Sequence, residues 1–257
     1  MKFSIVTVVI NDLIGLEKTM QSIFIQSYKD YGWIVCDGGS DEKTIEFLES
    51  LDESVRWVSE RDQGIYDAMN HGVSMSTGDY VVFMNAGDTF HDSDTLAKVA
   101  GKLSAEDCTV DVLFGGAMMS FASGRRMIYR PPKRAGNYLW KGLPANHQAT
   151  YYRRDLLGVA PYDLQYRICG DYYLAAISIR KGARAVYLDV PLATFEVGGI
   201  SYKNRKQLFA EPYRIQRDVL GMPFHYRLAS MIKRFVSIAC FVLLSQPIFQ
   251  KKNDSCG

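Results

Sequence analysis

No Cys-x-x-Cys pair occurs in this sequence. Cys36, Cys108, Cys169, Cys240 and Cys256 stand singly, and their number is odd. That excludes a zinc ribbon, argues against a disulfide framework and points to a reducing compartment. A surplus of either charge is also missing. Thirty Lys and Arg face 28 Asp and Glu, a net charge of +2, so no global field marks a nucleic-acid binder. No apolar run approaches the roughly 20 residues needed to span a bilayer. Two nucleotide fingerprints are absent, GxGxxG and GxxxxGK[ST]. A bound diphosphate would have to be neutralised by a metal or by basic residues elsewhere. Internal repeats and low-complexity segments are lacking. Met1-Lys2-Phe3-Ser4-Ile5 leads straight into a strand pattern without a signal-peptide layout. Cytoplasm is the expected location.

What is present suits a globular enzyme. The 257 residues are 47% apolar, enough for one large α/β domain or two small ones. Phe3 to Ile10 is a near-continuous apolar run, as in a central parallel strand buried on both faces. Leu13, Leu16, Met20, Ile23 and Phe24 follow at helical spacing. Tyr31 to Cys36 reads as a second strand, and Ser40 as the cap of a helix through Leu51. Val55 to Val58, a helix over Ile65 to Met75, and Asp79 to Met84 complete a strand–helix alternation. That alternation predicts a doubly wound, mostly parallel α/β sheet.

The strand ends carry the chemistry. Tyr80-Val81-Val82-Phe83-Met84 stops abruptly at Asn85-Ala86-Gly87-Asp88. In open α/β sheets ligands bind at the carboxyl ends of strands, so Asn85 and Asp88 are expected in a site. A carboxylate beside an amide, without thiol or imidazole alongside, suits a hard cation such as Mg²⁺ or Mn²⁺. The alternative is a plain turn whose Asp caps the next helix. Asp37 ends the second strand at the same edge. Gly38 and Gly39 after it let a ligand approach the backbone closely, and the helix beyond can attract phosphate.

The pattern changes after Asp92. Asp111 to Phe121 reads as a strand, and Gly124 to Arg130 as the rest of a hairpin with a solvated arginine edge. Asn146-His147-Gln148 leads into another strand, with His147 and Gln148 either facing a substrate or structural. Asp171 starts an apolar helix to about Arg180. It is either a first-turn acid favoured by the helix dipole or a general base. Ala183 to Leu188 returns as a strand. Thr194 to Ser201, with Gly198, Gly199 and Ser201, reads as a loop. The basic cluster Tyr202 to Lys206 after it could form a lid over a diphosphate or a solvated helix start. From Pro223, basic and apolar residues alternate in a helical pattern. The apolar run Phe235 to Leu244 is too short to span. A basic amphipathic helix on an anionic membrane surface and a helix docked on the body both fit.

The order of these pieces resembles the inverting GT-A glycosyltransferases of family 2, in particular the bacterial exopolysaccharide type that includes colanic acid biosynthesis enzymes. The resemblance runs from Phe3 to about Arg217. It is carried by Val35-Cys36-Asp37-Gly38-Gly39-Ser40, by Gln63-Gly64-Ile65-Tyr66-Asp67-Ala68-Met69-Asn70-His71-Gly72, by Met84-Asn85-Ala86-Gly87-Asp88 and by Gly198-Gly199-Ile200-Ser201. It implies a GT-A fold: residues 1–105 as nucleotide-sugar half, 106–220 as acceptor half, and 221–257 as a C-terminal tail. It implies nucleotide contacts from Thr7, Val8, Val9, Asp37, Asp67 and Asn85, a metal at Asp88 and a catalytic base at Asp171. His147, Gln148, Gly198, Gly199 and Ser201 fall on the acceptor or diphosphate side. The chain departs from the pattern at Asn85 and Gly87, where the family's metal motif carries acids. It departs again at Gly170, where a Glu is usual, and at Met69, where an Arg is usual.

The reading is a metal-dependent hexosyltransferase. It takes a sugar from a UDP- or GDP-linked donor and passes it, with inversion, to a saccharide acceptor, expected to be lipid-linked, at the inner membrane face. Two rivals stand beside it. A nucleotidyltransferase would carry a glycine-rich basic loop after the first strand, which Asn11-Asp12-Leu13-Ile14-Gly15 does not supply. A saccharide-binding or scaffold subunit of a polymer assembly complex would explain the incomplete metal motif.

Overall fold

The computed structural model describes residues 1–198 and 204–245. Its first part alternates strand and helix: β1 (Phe3–Val9), α1 (Leu13–Phe24), β2 (Tyr31–Asp37), α2 (Glu42–Glu49), β3 (Arg56–Ser59), α3 (Ile65–Met75) and β4 (Tyr80–Phe83). Then come β5 (Thr89–Phe90), α4 (Thr95–Ser104), β6 (Val112–Ser120) and β7 (Arg126–Tyr129). A 3₁₀ turn at His147–Ala149 leads into β8 (Thr150–Arg153), followed by α5 (Arg154–Leu157), α6 (Gly170–Arg180) and β9 (Ala185–Glu196). Helix α7 (Arg205–Arg214) passes through a π-helical turn, Ile215–Val219, before α8 (Phe224–Ser245).

The nine strands of the described residues share one sheet, ordered β3-β2-β1-β4-β8-β6-β9-β5, with β7 paired to β6. The two expected halves are therefore joined by one continuous sheet. β1 to β4 are mutually parallel, as the alternation predicts. β8 is antiparallel to both β4 and β6.

Alternation along β1 explains the two cores. Phe3, Ile5 and Val9 pack on one face with Leu16 and Ile23 of α1, Leu48 of α2 and Leu96 and Val99 of α4. Val6 and Val8 pack on the other with Met69 and Val73 of α3 and Leu174 of α6. Successive strand side chains point to opposite faces, so a strand covered twice must be apolar throughout. Gly72 lets α3 lie close on β1, since a Cβ there would stand 2.2 Å from Val6 Cγ1.

Several expectations are corrected. The cap of α2 is Asp41, whose carboxylate accepts from Thr44 N. The Ser40 hydroxyl is taken by Asp37. Helix α4 was not anticipated, although Leu96, Val99, Ala100 and Leu103 are buried at helical spacing. Thr194 to Glu196 belong to β9 rather than to a loop. That strand runs on past Pro191 because its register against β6 shifts around Gly115 and Gly116, a bulge that accommodates the missing N–H.

Helix α8 is docked on the body and also exposes apolar surface. Gln216 Nε2 donates to Ser230 Oγ at 2.8 Å and to Trp140 O at 3.0 Å. Phe224, Leu228, Ile232 and Phe235 are exposed on another face. No helix among the described residues is long and apolar enough to cross a membrane.

Candidate functional site

β1, β2 and β4 end at one sheet edge, and their loops are stitched together. Asp37 is 3% exposed. Its Oδ2 accepts from Gly39 N at 3.0 Å, Ser40 N at 2.9 Å and Ser59 Oγ at 2.7 Å, and its Oδ1 accepts from the Ser40 hydroxyl. Four donors fill a carboxylate with about four acceptor positions. Asn11, in the left-handed region at φ 50°, donates its N–H to Ser40 Oγ and accepts from Asp41 N. Thr7 lies inside the fold, 0% exposed, and its hydroxyl accepts from Trp33 Nε1. The Val8 and Val9 carbonyls accept from Ala86 N and Gly38 N. Asp67, in the first turn of α3, accepts from Gln63 N at 2.9 Å.

The turn after β4 is held against α1 by buried Thr19. Its hydroxyl donates to Asp88 O at 2.7 Å and accepts from Gly87 N at 3.1 Å. Gly87 takes φ +90°, a conformation that disfavours the Asp usual there. The Asp88 carboxylate accepts from Gln148 Nε2 at 2.9 Å. Burial pushes its pKa up to about 6, against the opposing pull of His147, Gln148 and Lys18. Two buried amide oxygens, Asn85 Oδ1 and Gln148 Oε1, have no hydrogen-bond partner.

His147 links this turn to Asp171. Asn85 Nδ2 lies 3.0 Å from His147 Nε2. An amide NH₂ can only donate, so with this orientation Nε2 accepts and a neutral His147 carries its proton on Nδ1. That Nδ1 is 3.8 Å from Asp171 Oδ2. The antiparallel course of β8 explains the meeting. Its register on β4 runs Tyr80↔Arg153, Val81↔Tyr152, Val82↔Tyr151, so residues just before β8 fall beside those just after β4.

Asp171 sits in the first turn of α6 with 22% of its side chain exposed. Its Oδ1 accepts from Tyr172 N at 2.7 Å and lies 3.5 Å from Tyr66 OH, which donates to Ile168 O. Burial and then the Asp171 charge push the Tyr66 phenol well above its ordinary pKa. Gly170 accounts for the missing Glu, since a Cβ there would stand 2.8 Å from the Tyr66 ring. The loop before α6 hangs on Glu211 of α7, which is 4% exposed and accepts from Arg167 N, Ile168 N and Cys169 N at 2.8–3.0 Å.

The expected residues Asn85, Asp88, His147, Gln148 and Asp171 thus come together, while Asp37 and Asp67 sit on neighbouring loops of that edge. Gly198 lies two residues beyond Glu196, which pairs with Lys18 Nζ at 3.5 Å. Gly199, Ser201 and the first two residues of the expected lid, Tyr202 and Lys203, lie outside the described residues, as does Cys256. Sequence reasoning missed Lys18, Tyr66 and Glu211. Tyr66 stands in a quoted motif, but nothing near Glu211 singles it out. Among the described residues, no group of three or more His, Cys, Asp or Glu is arranged to hold a metal.

Residues 4–158 match the model of Glycosyl transferase family 2. A "PGL/p-HBAD biosynthesis glycosyltransferase" of Mycobacterium tuberculosis is 32% identical over 216 residues, covering 77% of this chain and 78% of that protein. An uncharacterized glycosyltransferase of the same organism is 29% identical over 218 residues, 82% of each chain. These names lie outside colanic acid biosynthesis. Among solved structures, S. aureus TarS 1-349 aligns with a TM-score of 0.66 at 16% identity, covering 92% of this chain and 72% of that one. The mannosyltransferase PcManGT from Pyrobaculum calidifontis, in complex with GDP-Man and Mn²⁺, aligns with a TM-score of 0.65 at 15% identity, covering 96% and 76%. The GT-A-like fold is common to them, and by sequence the chain belongs to glycosyl transferase family 2.

Proposed function

We propose that the chain transfers a sugar from a nucleoside diphosphate sugar to an acceptor hydroxyl by a single inverting displacement. The observation that carries this reading is the row Asp88–Gln148, Asn85–His147–Asp171. These contacts bring Asp88 and Asp171 to one sheet edge, and on this reading Asp88 marks the leaving-group end and Asp171 the acceptor end. TarS has been solved with UDP-GlcNAc and PcManGT with GDP-Man, so UDP and GDP are the bases to test. The nucleotide would lie over the Asp37 and Asp67 loops. Asp37 acts there chiefly by holding the turn, since its carboxylate is filled.

The residues fit a divalent cation. Asp88 with the unpartnered oxygens of Asn85 and Gln148 forms an all-oxygen donor set, the kind hard cations prefer. When bound, such an ion would neutralise the diphosphate as it leaves. Lys18 is a cation of the chain close enough to act on the Asp88 carboxylate. Asp171 takes the proton of the acceptor hydroxyl, and the His147 imidazole stands beside that carboxylate, its Nδ1 3.8 Å from Asp171 Oδ2. The backbone N–H of Tyr172, donating to Asp171 Oδ1 at 2.7 Å, holds that carboxylate in place.

The acceptor would be amphiphilic. The exposed stripe Phe224, Leu228, Ile232 and Phe235 beside Lys233 suits an anionic membrane surface, where a lipid-linked acceptor of a surface glycolipid or polysaccharide pathway would be met.

Asp171→Asn tests the chemistry. The variant should bind nucleotide with Mn²⁺ as the parent does and lose transfer by roughly 10²-fold or more, the scale of a positioned base. Transfer within a few-fold of the parent would remove Asp171 from that role.

A further inference from the structure

Beside Asp171 lies a cleft of about 140 Å³ whose walls include Leu143, Ile168, Tyr172 and Leu208, and whose charged groups are Asp171 and Arg234. Arg234 comes from α8, far outside the segment that the family model matches. Its Nη2 is buried without a hydrogen-bond partner, and among the described residues Arg234 forms no ion pair. Although Arg234 as a whole is half-buried, its Nη2 has lost water and gained no acceptor in exchange, an arrangement that native structures rarely keep without a use.

The placement is built rather than accidental. Ser230, one turn earlier on α8, is 2% exposed and accepts from Gln216 Nε2. Arg227, two turns earlier, stacks on the Tyr213 ring at 4.7 Å. Positions 227, 230 and 234 share one face of the helix at the spacing of successive turns, so these two contacts fix the rotation that aims Arg234 inward. On the other side, Arg234 meets the loop that leads to His147. A Cβ on Gly142 would stand 3.5 Å from Arg234 Nη2. The guanidinium is thus held between α8 and that loop, on the wall of the cleft that contains Asp171.

We propose that Arg234 binds an oxyanion, a phosphate or a carboxylate, carried by the acceptor, while the hydroxyl to be glycosylated faces Asp171. This rests on the reading of Asp171 as the base and deepens it. A guanidinium presents paired N–H donors that match two oxygens of a phosphate or carboxylate at once. The apolar walls would take the carbon skeleton next to that anion. A neutral acceptor would leave the Nη2 group unsatisfied and would be discriminated against.

The experiment measures binding of n-octyl phosphate, octanoate and n-octyl glucoside to the full chain. UDP or GDP with Mn²⁺ is kept saturating so that anions do not enter the nucleotide site. The parent should bind n-octyl phosphate or octanoate at least tenfold more tightly than n-octyl glucoside, and whichever binds tighter identifies the anion. Arg234→Gln should erase that preference, and Arg234→Lys should restore only part of it, because a point charge replaces a fork. Thermal melting of each variant reports folding. Equal preference in the parent and a folded Arg234→Gln, or no anion preference in the parent, overturns the assignment. Nucleotide binding is read in the same samples. Its absence in the parent refutes the transferase reading itself, whereas intact nucleotide binding with an unchanged anion preference refutes only the role of Arg234.

Discussion

Replacing Asp88 with Asn should stabilise the metal-free protein and abolish its response to divalent cations. The Asp88 carboxylate is enclosed, and burial pushes its pKa from 3.8 up to about 6. Gln148 supplies one hydrogen bond, and His147 and Lys18 offset only part of the cost. The folded state therefore holds this proton more tightly than the unfolded state does. Between pH 3.8 and about 6 the folded chain binds the extra proton, so stability falls as pH rises through that window and stays lower above it. A shift of about two pKa units corresponds to roughly 3 kcal/mol. Because the residue as a whole keeps some exposed surface, about 2–3 kcal/mol is the figure to expect. Asn keeps the shape and an oxygen for Gln148 Nε2, and carries no charge. At pH 8 the metal-free Asp88→Asn protein should melt roughly 4–12 °C above the parent, given about 2–4 °C per kcal/mol for a chain of this size. At pH 4 the gap should close. Added Mn²⁺ should raise the melting temperature of the parent and leave the variant unmoved. The parent's gain should fade below pH 6, where protons compete for the same oxygens. Thermal unfolding followed by circular dichroism over pH 4–8, with and without Mn²⁺, decides the matter. A variant less stable than the parent at pH 8 would refute the argument that this carboxylate is poised for a cation.

Three further outcomes follow from other contacts. Glu211→Gln removes the charge on which three backbone N–H groups converge. It should cost about 1–3 kcal/mol in urea unfolding and lower transfer while nucleotide affinity holds; unchanged transfer would separate Glu211 from the placement of Asp171. Gly170→Ala forces a methyl against the Tyr66 ring and should cost about 1–3 kcal/mol, read as a lower denaturation midpoint. Ile232→Glu and Phe235→Glu place charge on the exposed stripe of α8 and should reduce sedimentation with phosphatidylglycerol vesicles without affecting nucleotide binding; equal sedimentation would leave the stripe without a membrane role.

How far the sequence disclosed this depended on how local the cause was. β1 to β4 and α1 to α3 were legible because each is a continuous apolar period ending in a turn. α4 was missed because its apolar positions, Leu96, Val99, Ala100 and Leu103, sit in a stretch that breaks the strand–helix rhythm. The apolar run Ala183 to Leu188 predicts a shorter strand, whereas a bulge opposite Gly115 and Gly116 carries β9 past Pro191 to Glu196. The α2 cap was assigned to Ser40 because only the contact of Ser40 with Asp37, set by the loop's fold, passes that role to Asp41.

The site shows the same division. Asp88 and Asp171 could be named from strand end and helix start, but their relation could not. It depends on β8 running antiparallel to β4. In a parallel strand, the residues that reach the ligand edge are those that follow it. In an antiparallel strand they are those that precede it, and so His147 and Gln148 arrive beside Asn85 and Asp88 from the N-terminal side of β8. The same logic explains why the missing acids of the family's metal motif need not disable the turn. Gly87 takes a left-handed conformation, at φ +90°, that a carboxylate-bearing residue would strain. The chain compensates from outside the motif, with Gln148 placing one amide group on Asp88 and leaving an oxygen free. A motif scan counts one carboxylate, whereas the fold brings the Gln148 amide onto Asp88 and leaves amide oxygens of Asn85 and Gln148 without partners, and the proposed cation site rests on that set.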